Sequence, residues 1–352
     1  MIKYQKDDFS KELLNKIKEM RIPQYISIKS LIIRSLISLS WVLLPYIIIL
    51  NQSNFGIVSV MLSIWVGIGL AFISFQFHIV NHFETKGLRY KIFGKIYDIF
   101  IFSSWAWRSN HNKNHHVHTN LINDKIILDT DLESSTTGKK LVLHLPRYLI
   151  KSFLLIAWTS FMIRFAWQKH GPFDKLKNRL SIKNLPSLSV TFLLRIVYII
   201  LWFIIPYLYM GSSFLYLYMI SNGISGLIIG PIIQITHETA KSQIVETKNG
   251  VCQYSWRKLQ VISTCNFAMN NKFITWFTAG TNYHVEHHLF PRLDYIYYPV
   301  IAPIVQNLCL KHNIKYNAVN SIGDGIREIF SSYMKNEALQ PKESLNNRSI
   351  WG

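Results

Sequence analysis

Four long apolar runs, at residues 31–50, 55–77, 188–210 and 214–235, set the hydropathy pattern of this chain. The second holds no charged residue from end to end. A helix needs about 20 apolar residues to cross the hydrocarbon core of a bilayer, where an open backbone group finds no partner. The first two runs are separated only by Asn51-Gln52-Ser53-Asn54, the last two only by Gly211-Ser212-Ser213. Turns that short join antiparallel neighbours, so the pattern predicts two transmembrane helical hairpins and four crossings. Arg34 falls near one end of its run, where its long side chain can reach the interface, and Arg195 is placed near a run end too. Two shorter apolar stretches, 96–107 and 152–163, are about half the length of a span and read as interfacial or buried helices.

The polar remainder divides around these runs. Residues 1–30 are expected to form a cytoplasmic amphipathic segment and 31–335 a single functional domain. Helical patches fall within 313–339, and 336–352 reads as a disordered tail. A composition of 49% hydrophobic and 16% charged residues suits a membrane protein with a substantial polar part. The formal charge of +19 fits either nucleic-acid binding or basic loops on the cytoplasmic side of a membrane. The apolar runs decide for the second, and no nucleic-acid partner is expected. Residues 83–187 carry 17 Lys/Arg against 7 Asp/Glu, and residues 1–30 carry 7 against 4, so both are placed in the cytoplasm. A crossing at 152–163 would invert the second hairpin and separate the histidines before and after it; four crossings keep them on one side. The three cysteines, Cys252, Cys265 and Cys309, have no CxxC spacing, which argues against disulfides and thiolate metal sites. The charged N-terminus lacks the apolar core of a signal peptide. The expected fold class is therefore all-α integral membrane: two hairpins with a cytoplasmic helical cap.

Chemistry enters with the histidines. Nine of 13 lie in four places: His78 and His82; His111, His115 and His116; His237; and His284, His287 and His288. Each of the four lies at the end of an apolar run or shortly after an apolar stretch. Residues four apart on a helix share a face and can share a metal ion. Adjacent residues diverge by about 100°, so one of a pair can serve one metal and its neighbour a second. Eight or nine imidazoles exceed what one ion can hold, and two ions is the economical count. Imidazole alone does not distinguish iron from zinc, copper or manganese. The number of nitrogens favours O₂ chemistry over a four-coordinate hydrolytic zinc. His118, His144, His170 and His312 stand outside the clusters and are left out of the site.

The three boxes resemble those of the membrane fatty acid desaturase family: HxxxH at 78–82, HxxxHH at 111–116 and HxxHH at 284–288. The likeness extends to Trp107-Arg108-Ser109-Asn110 before the second box and to Val117-His118-Thr119-Asn120 and Asp129-Thr130-Asp131 after it. It continues over Trp276 to Pro291, Tyr298-Pro299 and Thr236-His237-Glu238, where the family has an extra ligand after its last span. Roughly residues 1–335 are covered. The resemblance implies nine histidine ligands: His78, His82, His111, His115, His116, His237, His284, His287 and His288. Asp129, Asp131, Glu238, Glu286 and Asn282 are expected around them, the acids accepting the second N–H of coordinating imidazoles. The similarity is to bacterial acyl-chain desaturases without a fused cytochrome domain, since no His-Pro-Gly-Gly haem motif occurs. One departure is His284, where the front-end sub-group often has Gln.

The resemblance implies two iron ions, O₂, and electrons from a separate ferredoxin or cytochrome b5-like protein with its NAD(P)H reductase. It implies a double bond inserted into a fatty acyl chain carried on coenzyme A, acyl carrier protein or lipid, at the cytoplasmic face of a bacterial inner membrane rather than the endoplasmic reticulum. Breaking two unactivated C–H bonds is beyond any side chain, which is why a cofactor is required. Acyl or alkane hydroxylation and acetylene formation are alternatives on the same site. A histidine-lined metal transporter is disfavoured, because the histidines lie outside the spans rather than at the midplane.

Overall fold

The computed structural model describes residues 2–52, 54–101, 103–121 and 185–335. Asp129, Asp131, the stretch 152–163 and the tail 336–352 lie outside the described residues. The described residues form two compact units, one drawn from the ranges 1–25, 110–145 and 232–352, the other from 26–109 and 146–231.

The first unit begins with α1 (Asp8–Glu19), capped by Asp7, whose carboxylate accepts from Ser10 N at 2.8 Å. Its stripe of Phe9 and Leu13 is buried in that unit's core. The second unit is built on long apolar helices. α2 (Ile28–Leu50) and α3 (Ile57–His82) form the first expected hairpin. The second helix runs on beyond the apolar stretch to carry His78 and His82 on its last turns. Next come α4 (Leu88–Asp98) and α5 (Ser104–Asn110). The stretch 96–107 is therefore not one interfacial helix. It breaks where the buried Asp98 carboxylate turns back to accept from Ser104 N at 2.7 Å and Ser104 Oγ at 2.9 Å. Local hydrogen bonding of this kind competes with helix continuation.

α6 (Leu185–Ile199) leads through a π-turn, Ile200–Ile204, into α7 (Ile205–Met210), and α8 (Phe214–His237) follows. The π-turn sits where Pro206 cannot donate to the preceding turn. Among the described residues, three helical runs are long and apolar enough to cross a membrane: Ile28–Leu50, Ile57–His82 and Val190–His237. The last spans 48 residues, about twice what a bilayer needs. It doubles back on itself, since Tyr198 Oη lies 3.3 Å from Tyr218 Oη and the Phe203 and Tyr218 rings meet at 4.8 Å. The reversal falls at Gly211–Ser213.

Small residues let these helices approach closely. Ser59, Ser63 and Gly67 make a stripe at four-residue spacing on α3. A Cβ at Gly67 would come within 2.6 Å of Ser221 O, and Ser221 Oγ donates to Ser63 O at 3.0 Å. Without a hydrophobic drive between helices in lipid, such packing and hydrogen bonding is what associates them. Arg195 on α6 is buried and donates to Ile101 O at 2.6 Å and to Asp98 O, satisfying carbonyls at and just past the end of α4. Burial pushes the Asp98 carboxyl up to about 7, despite the opposing charge of Arg195 and the Ser104 hydrogen bonds.

The first unit continues with α9 (Trp256–Ser263), α10 (Lys272–Phe277), α11 (His284–Leu289), α12 (Tyr298–Lys311) and α13 (Ile322–Lys335). Phe9, Leu13, Leu259, Val285, Leu289 and Val305 share its core. The expectation of a purely helical fold needs a correction here. β1 (Lys3–Tyr4) pairs in parallel with β3 (Val251–Cys252), which pairs antiparallel with β2 (Thr247–Lys248). β4 (Asn266–Phe267) pairs in parallel with β5 (Ala318–Val319). Asn249-Gly250, both at positive φ, makes the two-residue hairpin turn between β2 and β3.

Candidate metal centre

Seven of the nine histidines belong to the first unit, and it brings them together. His111–His115 form a π-turn, after which His116 begins a short α-helical turn. On a regular α-helix, residues five apart point about 140° away from each other. The i→i+5 geometry of the π-turn instead lets His116 Nε2 approach His111 Nε2 to 3.0 Å. His287 meets His116 ring to ring at 5.0 Å. His115, His237 and His288 form a second group, their ligand atoms within 4.8 Å of one another. His284 joins it, with Nε2 2.8 Å from His237 Nε2 and 3.1 Å from His288 Nε2. Both adjacent pairs, His115/His116 and His287/His288, are thus divided between two groups.

The spacing fits metal ions. Nitrogens bound at about 2.1 Å and at right angles lie about 3 Å apart. The three Nε2–Nε2 distances, 2.8, 3.0 and 3.1 Å, match that edge. The rings lie in a dry interior, as His115, His116, His237, His284, His287 and His288 are all at most 5% exposed. Burial, with the neighbouring imidazoles adding to it, drives the His288 pKa well below its ordinary value. A neutral ring is the form that binds metal.

His78 and His82 end α3 in the second unit, their rings 5.2 Å apart. Trp107 packs edge-on against both at 5.3 Å. Arg108 ties this helix end to α5, with Nε 2.8 Å from Glu84 and Nη1 donating to Asn81 Oδ1 at 2.9 Å.

Two of the polar residues expected around the rings, Glu286 and Asn282, have hydrogen-bond partners other than an imidazole. Glu286 is wholly buried, but its carboxylate accepts from Asn266 Nδ2 and Tyr316 Oη, each at 2.7 Å, rather than from an imidazole. Asn266 Oδ1 in turn accepts from Val285 N at 2.7 Å, so Glu286 and Asn266 pin the start of α11 to β4. Burial raises Glu286 to about 7, with the Tyr316 and Asn266 hydrogen bonds working against it. Asn282 donates to Thr275 Oγ1 at 3.0 Å and Ala268 O at 3.3 Å, shaping the turn before the third box. Glu238 is buried beside His237.

The partners of these histidines, at ring nitrogen or at backbone carbonyl, are residues outside the expected site. Gln260 Oε1 lies 2.8 Å from His288 Nδ1, and Tyr298 Oη 3.3 Å from His287 Nδ1. Trp256 Nε1 donates to His116 O at 3.0 Å, and Asn120 Nδ2 to His237 O at 3.1 Å. Asn120 and Tyr298 lie in the family-like stretches without a role assigned there, and Gln260 is an amide set among Leu259, Val261 and Ile262, all buried in α9.

A sequence model described as fatty acid desaturase matches residues 29–320. The chain belongs to the fatty acid desaturase family. Among its relatives, a protein named acyl-lipid (8-3)-desaturase from Physcomitrium patens is 27% identical over 320 residues, covering 87% of this chain and 66% of that one. One named sn-1 linoleoyl-lipid 6-desaturase from Synechocystis sp. is 26% identical over 311 residues, covering 82% of this chain and 83% of the relative. Another of that name from Arthrospira platensis is 22% identical over 327 residues, 88% and 86% of the two chains. The chain thus spans about two thirds of the Physcomitrium relative and most of the other two. Its family places it among the oxidoreductases that act on fatty acyl substrates, and the three long apolar helical runs among the described residues suit a membrane protein.

Proposed function

We propose that this protein inserts a double bond into a fatty acyl chain carried on a membrane lipid, using two iron ions held by its histidines. One observation carries the reading: in a member of this family, histidines from three separated segments converge with Nε2 atoms 2.8–3.1 Å apart and divide into two groups. His111, His116 and His287 hold one ion, and His115, His237, His284 and His288 the other. His78 and His82 are assigned to the first ion from their resemblance to the family's first box. The relatives' names, two of them sn-1 linoleoyl-lipid desaturases matched over 82–88% of both chains, favour a lipid-borne acyl chain over a coenzyme A or carrier-protein thioester.

The overall reaction converts –CH₂–CH₂– and O₂, with two electrons and two protons, to –CH=CH– and two waters. Bound iron supplies the oxidising power that no side chain has. The chain's own part is to present neutral imidazoles, hold their rings, and keep bulk water from the site. The electrons come from a separate ferredoxin or cytochrome b5-like protein. The apolar runs make four crossings, with the histidines on the cytoplasmic side of a bacterial inner membrane.

Expression in a host of defined lipid composition, followed by mass analysis of its fatty acids, tests the proposal. A new double bond, lost in His111→Ala and in His287→Ala with protein still in the membrane, is the expected result. A hydroxylated product, or full activity in either variant, would contradict it.

A further inference from the structure

We infer that Gln260 is a positioning residue of the metal centre, its side-chain carbonyl turning His288 so that Nε2, not Nδ1, faces the metal. The inference rests on the di-metal reading above. Gln260 Oε1 lies 2.8 Å from His288 Nδ1, and the Thr119 hydroxyl donates to the same oxygen at 2.7 Å. Thr119 is one turn after His115, and its Oγ1 also lies 2.8 Å from His115 O and 3.2 Å from His288 Nδ1. One carbonyl thus joins the second histidine box to the third.

With the amide carbonyl facing Nδ1, the tautomer follows. A carbonyl oxygen only accepts, so the His288 ring proton sits on Nδ1. The Nε2 lone pair is then directed to the group where His284 Nε2 lies 3.1 Å away. A reversed amide would put an N–H against Nδ1, move the ring proton to Nε2, and leave a ring unable to bind metal there. Gln260, Thr119 and His288 are all fully buried. Among the described residues Gln260 Nε2 has no partner. An amide in such a core is costly unless one of its atoms is needed, and an aliphatic side chain would pack there at lower cost. The carbonyl is the needed atom. Groups that orient a ligating imidazole in this way change metal affinity by about ten- to a hundredfold.

The test compares wild type, Gln260→Leu and Gln260→Glu, each purified in detergent and loaded anaerobically with ferrous iron. Iron per chain, its rate of loss to a ferrous chelator, and the reduction potential are measured. Gln260→Leu should lose iron about ten- to a hundredfold faster than wild type. Gln260→Glu keeps an acceptor, so it should retain iron and shift the potential to more negative values, since a carboxylate makes the ring a stronger donor. A merely structural role would not move the potential or be rescued by Glu. Wild-type retention in Gln260→Leu overturns the inference. If that variant does not fold, an unchanged potential in Gln260→Glu overturns it instead. With two irons in wild type, either result sinks the role of Gln260 alone; a wild-type chain that binds no iron overturns the di-metal reading as well.

Discussion

Single residues around the third box are placed by constraints that have little to do with metal binding. Gly280 has φ +77°, and a Cβ there would come within 2.4 Å of Tyr295 Cβ and 2.9 Å of Tyr298 Cδ2. Strain in the left-handed region costs about 1 kcal/mol and overpacking about 1–3 kcal/mol. Gly280→Ala should therefore destabilise by roughly 2–4 kcal/mol and disturb Tyr298, which faces His287. Thermal melting alongside iron content checks this, and unchanged values in both would contradict the packing argument. At this scale the histidines were legible because their spacing is itself the signal. Gln260, Tyr298 and Asn266 were not, because an isolated Gln, Tyr or Asn gains its role only from what the fold places opposite it. Glu286 shows the converse. Its position inside the box suggested an imidazole partner, whereas its burial against Asn266 and Tyr316 makes it a brace for α11.

Among elements, the apolar runs predicted the long helices well, since hydropathy over 20 residues leaves few alternatives. The ends were less legible. α3 outlasts its apolar run, and 96–107 breaks at Asp98, a turn set by one carboxylate and Ser104. The small strands escaped notice because two-residue strands have no periodicity to detect; Asn249-Gly250 was the one local cue. The break at Asp98 has a measurable consequence. Its carboxyl is raised to about 7 in the folded chain against an ordinary value near 4. The folded state therefore holds this proton more tightly than the unfolded one, and its contribution to stability is greatest below pH 4 and lost as pH rises to about 7. Asp98→Asn should flatten that part of the stability–pH curve, as followed by melting temperature between pH 4 and pH 8. A variant with the wild-type slope would contradict the assignment.

For the whole molecule, family membership and overall topology rest on different supports. The boxes and the match over residues 29–320 carry the first. The second comes from charge bias and from the reversal at Gly211–Ser213. All three cysteines are buried, which leaves a low background for labelling. With four crossings and a cytoplasmic centre, Asn54→Cys and Ser212→Cys should react with an impermeant maleimide in intact cells. Lys248→Cys should react only after permeabilisation. Labelling of Ser212→Cys solely in permeabilised cells would mean an inverted second hairpin and an odd number of crossings before it. The expected parity needs only a count of runs, and the labelling tests it. The two-residue strands and the partners of the rings are set by the fold and leave no such pattern.

The π-turn at His111–His115 bears on how such boxes are compared. Its wider winding absorbs one residue more than an α-helix would. Removing any of Asn112, Lys113 or Asn114 leaves the pattern HxxHH, the spacing found at His284, His287 and His288. In spacing, the second and third boxes then differ by the one residue that the π-turn absorbs. A motif search that treats HxxxHH and HxxHH as unrelated signatures would miss that a change of local winding converts one spacing into the other.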